Sequence, residues 1–579
     1  MILKALADYY ERMLNDPECD IAPPGFEKKA IPFLIVINRD GELVNIRDTR
    51  TGEGKKKTAR EYIVPQGEKK TSGIKANLLW DNPQYVFGVP KSESAKDSDR
   101  AEESFIHFLK RVDVSFPSDD VNEGIKAVRS FLKKRDFGKV FAHECWPEIK
   151  ETKANLTFIL EGDSQLVAQN PEVVSHLREG KETADESGLA CAISGQIDIP
   201  AELHPVVKGV WGAQSSGANI VSFNLDAFRS FGKKQGFNAP VGQKTTFAYT
   251  TALNTLLAKG SRQRIQVGDA STVFWAKEKH SFEDDFSSFL GEPAKGTEPD
   301  YGRLRSLLFA VRTGVLPKED DMPFYVLGLA PNASRISIRF WYEGNVRDIK
   351  EKIVQHFEDI EIVRAPHDRE FLSLFQLLVA TATEGKADNI PPNLGGEIAR
   401  AVLSGCGYPR TLLAGAIRRC KAEQRITHAR AVCIKGFLAR DSRSRKITTK
   451  EVGMALDKTI ENPGYVLGRL FAVLERIQEQ AHTGLNKTIR DTYFSAATSS
   501  PQVIFKRLHE LAIHHLAKIR NSGKSTVWLD KLMQEVMDKV PASGIPVTLS
   551  LEDQGRFAVG YYHQRQDFFN SNKDENKGE

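Results

Sequence analysis

No two cysteines of this chain form a Cys-x-x-Cys pair. The six present, at 19, 145, 191, 406, 420 and 433, are scattered, and no histidine completes a zinc-finger spacing. A disulfide framework is implausible in 579 residues with so little cysteine, so the thiols are expected to be buried or half-buried groups in a reducing compartment. Long apolar runs are missing too. The longest, residues 31–37, is strand-sized and contains Pro32, far short of the roughly 18–20 residues that cross a bilayer. The first residues, MILKALADYYERML, have no basic stretch ahead of an apolar one and do not read as a secretory leader. These absences point to a cytoplasmic protein without membrane contact.

Catalytic signatures are equally scarce. Residues 236–245, GFNAPVGQKT, approach a phosphate loop but place five residues between the glycines and put Gln243 between Gly242 and Lys244. Gly523-Lys524-Ser525 has the right ending, yet Lys518 stands where the first glycine belongs. His367-Asp368 and His514-His515 are isolated pairs without further ligands at metal-site spacing. No Gly-x-Ser-x-Gly elbow is present. The expectation is a protein that is not an enzyme and uses no cofactor or metal. A nuclease or helicase would need a site assembled across the fold.

What is present is ordinary globular composition, 40% hydrophobic and 27% charged, in a chain long enough for two or three domains. The net charge of +5 is unevenly spread. Residues 401–450 hold 12 Lys and Arg against two acids, a net +10 that leaves −5 on the rest. Concentrated charge of this kind is the footprint of a polyanion partner.

Periodicity divides the chain. Leu3, Leu6, Tyr9, Tyr10, Met13 and Leu14 mark a docked helix. Residues 31–37 and 42–46, joined by Arg39-Asp40-Gly41, read as a hairpin, and 49–75 as a long Gly- and Lys-rich loop. Helices are expected near 102–110, 121–134, 164–179 and 246–258, and strands near 156–160, 218–223, 324–329 and 334–341. From residue 346 onward only helical periodicity is left, in segments beginning near 346, 371, 395, 410, 429, 464, 501, 526 and 551. Ser550 ahead of Glu552 and Asp553 is an N-cap signal. The fold class is therefore α+β. A mixed α/β domain over 1–345 precedes a basic helical region over 346–453 and a helical bundle over 454–579.

Three constellations carry binding chemistry. The first is the loop with Lys55, Lys56, Lys57, Arg60, Lys69, Lys70, Lys75 and Asn77, where each lysine can neutralise a phosphate and release a counterion. Charge alone fits a solvated loop equally well. The second is residues 222–244, which interleave Phe223, Phe228, Phe231 and Phe237 with Arg229, Lys233, Lys234, Gln235, Asn238 and Lys244. Cations give affinity there and amides can read base edges. At least two of the phenylalanines are expected in the core. Arg262 and Arg264 extend this patch in sequence. The third is Arg410, Arg418, Arg419, Arg425, Arg430, Lys435, Arg440, Arg443, Arg445 and Lys446. Arg418 and Arg425, a heptad apart, share a face if their helix continues, and a stripe of that kind tracks a nucleic-acid backbone. Acidic protein neighbours are the alternative.

Several long blocks resemble one family. SFNLDAFRSFGKKQGFNAPVG at 222–242, YTTALNTLL at 249–257 and GDASTVFWA at 268–276 are similar to the large subunit of the type I-C CRISPR surveillance complex, Cascade. So are ENPGYVLGRLFAVLERIQEQA at 461–481, IRDTYFSAATSSPQVIFKRL at 489–508 and LSLEDQGRFAVGYYHQRQ at 549–566. The resemblance covers nearly the whole chain and follows the family's order.

The resemblance implies a non-catalytic subunit near the 5′ handle of a CRISPR RNA. Such a subunit recognises the protospacer-adjacent motif in double-stranded target DNA and promotes its unwinding. It supports the displaced single strand and helps dock a separate nuclease-helicase. Its other partners would be the backbone filament and the small subunit of the complex. Protein reads a short motif while RNA pairing reads the rest, the division of labour general to RNA-guided recognition. Within this frame Lys55, Lys56, Lys57, Lys69, Lys70, Lys75 and Asn77 of the first constellation, Arg229, Lys233, Lys234, Gln235, Asn238 and Lys244 of the second, and Arg262 and Arg264 are the expected duplex contacts. Arg418, Arg419, Arg440, Arg443, Arg445 and Lys446 are expected on the displaced strand or the heteroduplex backbone. The family also suggests a separately translated small subunit, and Met454 is the expected internal start, giving a product of 126 residues. A scaffold that binds only RNA and protein is the remaining alternative.

Overall fold

The computed structural model describes residues 2–19, 21–52, 57–68, 73–118, 122–179, 188–291, 301–314, 317–447, 451–482 and 484–575. The chain separates into two compact units. The first comprises 1–205 with 221–255, the second 206–220 with 256–579.

In the first unit the order is α1 (Ile2–Leu14), β1 (Phe26–Ala30), β2 (Phe33–Ile37), β3 (Leu43–Asp48), β4 (Glu61–Pro65), β5 (Trp80–Asp81), α2 (Pro83–Phe87), α3 (Ala95–Ser115), α4 (Glu123–Lys134), α5 (Gly138–Phe141), α6 (Trp146–Thr152), β6 (Leu156–Leu160), α7 (Pro171–Glu179), β7 (Leu189–Ala190), β8 (Ile197–Asp198) and α8 (Gln243–Leu256). The central sheet has the order β3-β2-β6-β5, with β2 and β6 parallel and the outer pairs antiparallel. β2 reads FLIVI and is buried at every position, because both faces of the sheet are covered. Phe33, Ile35 and Ile37 join Phe105, Phe131 and Leu132 of α3 and α4 in one core. Leu34 and Val36 join Val64, Trp80 and Ile159 in a second. The β2–β3 hairpin forms as expected. The Asn38 side chain accepts from the amides of Asp40 (3.1 Å) and Glu42 (2.8 Å) to close its turn.

The segment 49–75 is less open than its composition suggests. Its residues Glu61–Pro65 are β4, antiparallel to β1, and Trp80 Nε1 donates to Pro65 O at 2.7 Å. Residues 218–223, expected as a strand, contribute only isolated bridges, at Ala218 and Asn219.

The second unit runs β9 (Arg264–Val267), β10 (Ala270–Ala276), α9 (Phe282–Leu290), α10 (Gly302–Arg312), β11 (Pro323–Asn332), β12 (Arg335–Asn345), α11 (Val346–Ile360), α12 (Leu374–Thr381), α13 (Leu394–Ser404), α14 (Arg410–Glu423), α15 (His428–Ser444), α16 (Pro463–Ala481), α17 (Ile489–Ser499), α18 (Pro501–Asn521), α19 (Val527–Met537) and α20 (Leu551–Glu575). Its antiparallel sheet has the order β12-β11-β10-β9. One continuous core runs from Ile265 on β9 to Phe568 on α20. The expected boundaries at 345/346 and 453/454 therefore both lie inside this unit, since the sheet and the later helices share apolar side chains. α16 and α20 approach backbone to backbone: a Cβ on Gly468 would lie 2.0 Å from Phe557 O, and one on Gly560 2.3 Å from Tyr465 O. Ser550 caps α20 as expected, accepting from Asp553 N at 3.1 Å. The architecture is α+β, and no helix among the described residues is long and apolar enough to cross a membrane.

Candidate nucleic-acid interface

In the first unit, residues 229–238 ahead of α8 fold into a braced loop whose tip is a tight turn. Lys233 N donates to Ser230 O at 3.0 Å, and the two residues inside that turn, Phe231 and Gly232, have φ of +51° and +70°. Two positive φ values in succession define the type I′ class, normally built from Asn, Asp or Gly. Phe231 is instead held in the left-handed region at a cost on the order of 1–3 kcal/mol. Its ring is 98% exposed and recovers none of that cost by burial. Lys233 and Lys234 follow it in sequence, both exposed. No ion pair of either lysine occurs among the described residues. Arg229 is exposed as well and pairs with Asp226 at 2.9 Å.

Asn238 holds this loop together. Its Oδ1 accepts from Ser230 N at 2.9 Å, and its Nδ2 donates to Gln235 O at 2.8 Å and Lys233 O at 3.2 Å. The amide expected to read a base edge is therefore spent inside the loop. Gln235 is half-buried, with φ of +48°. Gly236 pins the loop to its base: its N–H donates to Glu202 O at 2.9 Å, and a Cβ there would lie 2.1 Å from Ala201 O. The amides around the start of α8 are likewise occupied. Lys244 N donates to the Asp198 carboxylate at 2.9 Å and Gly242 N to Cys191 Sγ at 3.3 Å, so this stretch has no open anion cradle. Burial raises the Cys191 thiol, but hydrogen bonding with Ser194, Thr245 and Gly242 outweighs it and holds the thiol down at about 6. The Lys244 side chain is exposed.

None of the four phenylalanines is core, contrary to expectation. Phe223 is half-buried, and Phe228, Phe231 and Phe237 are exposed. The sequence signal was their lack of period 2 or 3.6 among three glycines.

The lysine loop is partly described. Lys55, Lys56, Lys69 and Lys70 lie outside the described residues. Lys57 and Lys75 are exposed, Lys57 standing 3.9 Å from Asp48. Arg60 lies over the Tyr62 ring at 5.2 Å. Asn77 is buried: its N–H donates to Asp81 at 2.9 Å and its Oδ1 accepts from Glu68 N at 2.9 Å. It braces the chain ahead of β5 and is not available to DNA.

In the second unit Arg262 is exposed, 3.8 Å from Asp284. Arg264 is half-buried and donates to Leu257 O at 2.8 Å, so its guanidinium is engaged inside the second unit. The basic helical region turns inward at several positions. Arg440 is 1% exposed and donates to Asp359 (2.7 Å), Ala401 O (2.6 Å) and Cys406 O (2.9 Å), with its guanidinium 4.3 Å from the Tyr408 ring centroid. Arg443 is half-exposed and shares the same Asp359 carboxylate. Arg430 and Lys435 are buried and donate to the main-chain oxygens of Arg425 (3.0 Å) and Glu358 (2.9 Å). Arg440 is thus a core ion pair and not a strand contact. The shared face of Arg418 and Arg425 does not form either, because α14 ends at Glu423 with Gln424 at φ +51°. Arg418 is exposed, Arg419 half-buried beside Glu423 (3.9 Å), Arg445 paired with Asp441 (2.8 Å), and Lys446 exposed.

Met454 is 53% exposed in the connection between α15 and α16, and its carbonyl accepts from Val363 N at 2.7 Å. The helices after it pack against those before it. Lys421 of α14 donates to Ser499 and to Gln554, each at 2.7 Å, and Arg556 of α20 pairs with Glu451. Sequence reasoning overlooked one basic surface, the outer face of α18, where Lys506, Arg507 and Lys518 are exposed, Arg507 3.6 Å from Glu510. Its signal was a charged stripe opposite the apolar positions. Among the described residues no group of three His, Cys, Asp or Glu is arranged to hold a metal ion.

No curated protein matches the chain. A family model described as CRISPR-associated protein (Cas_Csd1) matches residues 6–569, which takes in both units, the braced loop and every helix through most of α20. The chain belongs to the Cas_Csd1 family of CRISPR-associated proteins.

Proposed function

We propose that this CRISPR-associated protein is the large subunit of a type I-C RNA-guided surveillance complex in the cytoplasm and has no catalytic centre of its own. It engages double-stranded target DNA at the protospacer-adjacent motif, promotes unwinding, supports the displaced strand and helps dock a separate nuclease-helicase. CRISPR RNA, the backbone filament and the small subunit are its partners in the assembly. The observation that carries the DNA-engaging part is the braced loop. Three side-chain hydrogen bonds from Asn238 preform it, and Lys233 and Lys234 stand in solvent beside it. Cations held out on a rigid element lose little freedom when they meet phosphate, which favours binding. Lys57, Lys75, Arg229 and Lys244 are further duplex contacts in this reading. Arg418, Arg445 and Lys446 serve the displaced strand.

The test is binding of the assembled complex to duplex targets with and without the flanking motif, across a salt series. Lys233→Glu with Lys234→Glu is expected to weaken motif-dependent binding and lower the salt slope by up to about 2, near 0.9 for each phosphate no longer neutralised. Unchanged affinity and slope would move the assignment to the lysines of 55–75. Incubation with magnesium and DNA is expected to leave the DNA intact; cleavage would favour the nuclease reading. For the internal start, replacing the Met454 codon is expected to abolish a 126-residue product while full-length chain persists, as read by immunoblot.

A further inference from the structure

We infer that Phe231 is a stacking platform for a nucleobase whose face has been freed from its neighbours, an inference that rests on the DNA-engaging reading above. Three observations support it. The ring is 98% exposed at the tip of a turn, where burial within the chain gains nothing. The backbone beneath it has φ of +51°, a conformation that Asn or Gly would adopt with less strain, so the turn by itself does not select phenylalanine. The loop is stapled by Asn238 and pinned at Gly236, so the ring is held out on a stiff support.

The chemistry of the occupant follows from the ring and its neighbours. A phenyl group has no donor or acceptor with which to read a base edge, so it recognises a flat apolar face. Lys233 and Lys234, two and three residues further on, supply charge for the adjoining phosphates. In a paired duplex both faces of every internal base are covered by stacking. An aromatic side chain therefore gains a partner only where a step has been opened or a strand is single. Stacking on such a base tolerates any sequence, because every base presents a π-face. The loop thus unites a sequence-independent grip on opened DNA with cations that grip its backbone.

The test uses the assembled complex and two probes: a fully paired duplex carrying the flanking motif, and the same duplex with a short mismatched bubble beside it. Phe231→Ala and Phe231→Leu are each expected to weaken bubble binding about tenfold, with Phe231→Tyr within about twofold of the parent. The effect on the fully paired probe is expected to be smaller. Phe231→Asn is expected to bind the bubble as poorly as Phe231→Ala while its Tm equals or exceeds the parent's, which separates a binding role from a folding one. Full binding by Phe231→Leu would overturn the inference in favour of an apolar protein contact, as would unchanged binding by Phe231→Ala. If Lys233→Glu, Lys234→Glu weakens both probes while Phe231→Ala weakens neither, stacking alone fails. If the parent complex binds neither probe, the DNA-engaging reading fails with it.

Discussion

In the loop at 229–238, Lys233 and Lys234 are exposed and the residue with both side-chain polar atoms engaged is the uncharged Asn238. In α15 the reverse holds. Arg430, Lys435 and Arg440 are buried, and they donate to Glu423, to Asp359 and to main-chain oxygens. By charge count residues 401–450 are the stronger candidate for a polyanion, at a net +10. Yet much of that charge holds helices together. Arg440 alone joins α15 to Asp359 of α11, to Ala401 of α13 and to Cys406 in the connection after it. A guanidinium has five donors in a fixed fork and suits an interior junction of several carbonyls as well as it suits phosphate. Charge density identifies a binding surface only when the charge stays in solvent.

The largest expected effect would break this comparison outright. Arg440→Leu leaves the buried Asp359 with Arg443 and the Gln355 amide as its partners, and the expected loss is about 3–5 kcal/mol, whereas Arg418→Ala is expected within about 0.5 kcal/mol of the parent. Urea unfolding measures both, and equal losses would mean that Arg440 is not a core residue. Next, Gly236→Ala forces a methyl group against Ala201 O and is expected to cost about 1–3 kcal/mol or to unseat the loop. DNA affinity is expected to fall although glycine has no side chain with which to touch DNA. Retained affinity would mean that the loop's stiffness does not matter to binding.

A smaller effect concerns pH. Burial, with the Arg440 charge beside it, pushes His356 down to about 3, and burial with Lys435 pushes His563 down to about 4, both below the ordinary 6.5. The unfolded chain then binds more protons than the folded one below about 6.5. The contribution of these histidines is present in full above that pH and is lost as pH falls towards 3–4. The urea midpoint is expected to drop between pH 6.5 and 4, and His356→Asn is expected to shallow that drop. An unchanged profile would mean that His356 is not the buried neutral partner of Tyr408.

Much of the fold was legible because its signals are local. The run FLIVI, the alternation in β12 and the apolar stripes of α16 and α18 each mark one element by period or length. Long-range pairing was not legible. β4 lies within a Gly- and Lys-rich stretch and becomes a strand because β1, more than 30 residues earlier, offers it an edge. The division into units was hidden for the same reason. α20 packs against chain more than 100 residues away, as its contacts with Lys421 of α14 and with Glu451 in the connection after α15 show. Of the candidate interface, Lys233 and Lys234 were named from sequence and are exposed; Asn77, Asn238, Arg264 and Arg440 were named with them and are engaged inside the fold.

By itself the sequence determined the α+β class, the helical character after residue 346 and the resemblance to CRISPR-associated large subunits, because hydrophobic period and ordered blocks of residues are properties of the string. The tertiary structure alone decided which cations meet solvent. A lysine or arginine is written the same way whether its partner is water or a carboxylate 81 residues distant, as for Arg440 and Asp359. It also decided that Phe231, an ordinary core residue by type, stands exposed on a strained turn. Burial and backbone geometry arise only when distant segments meet.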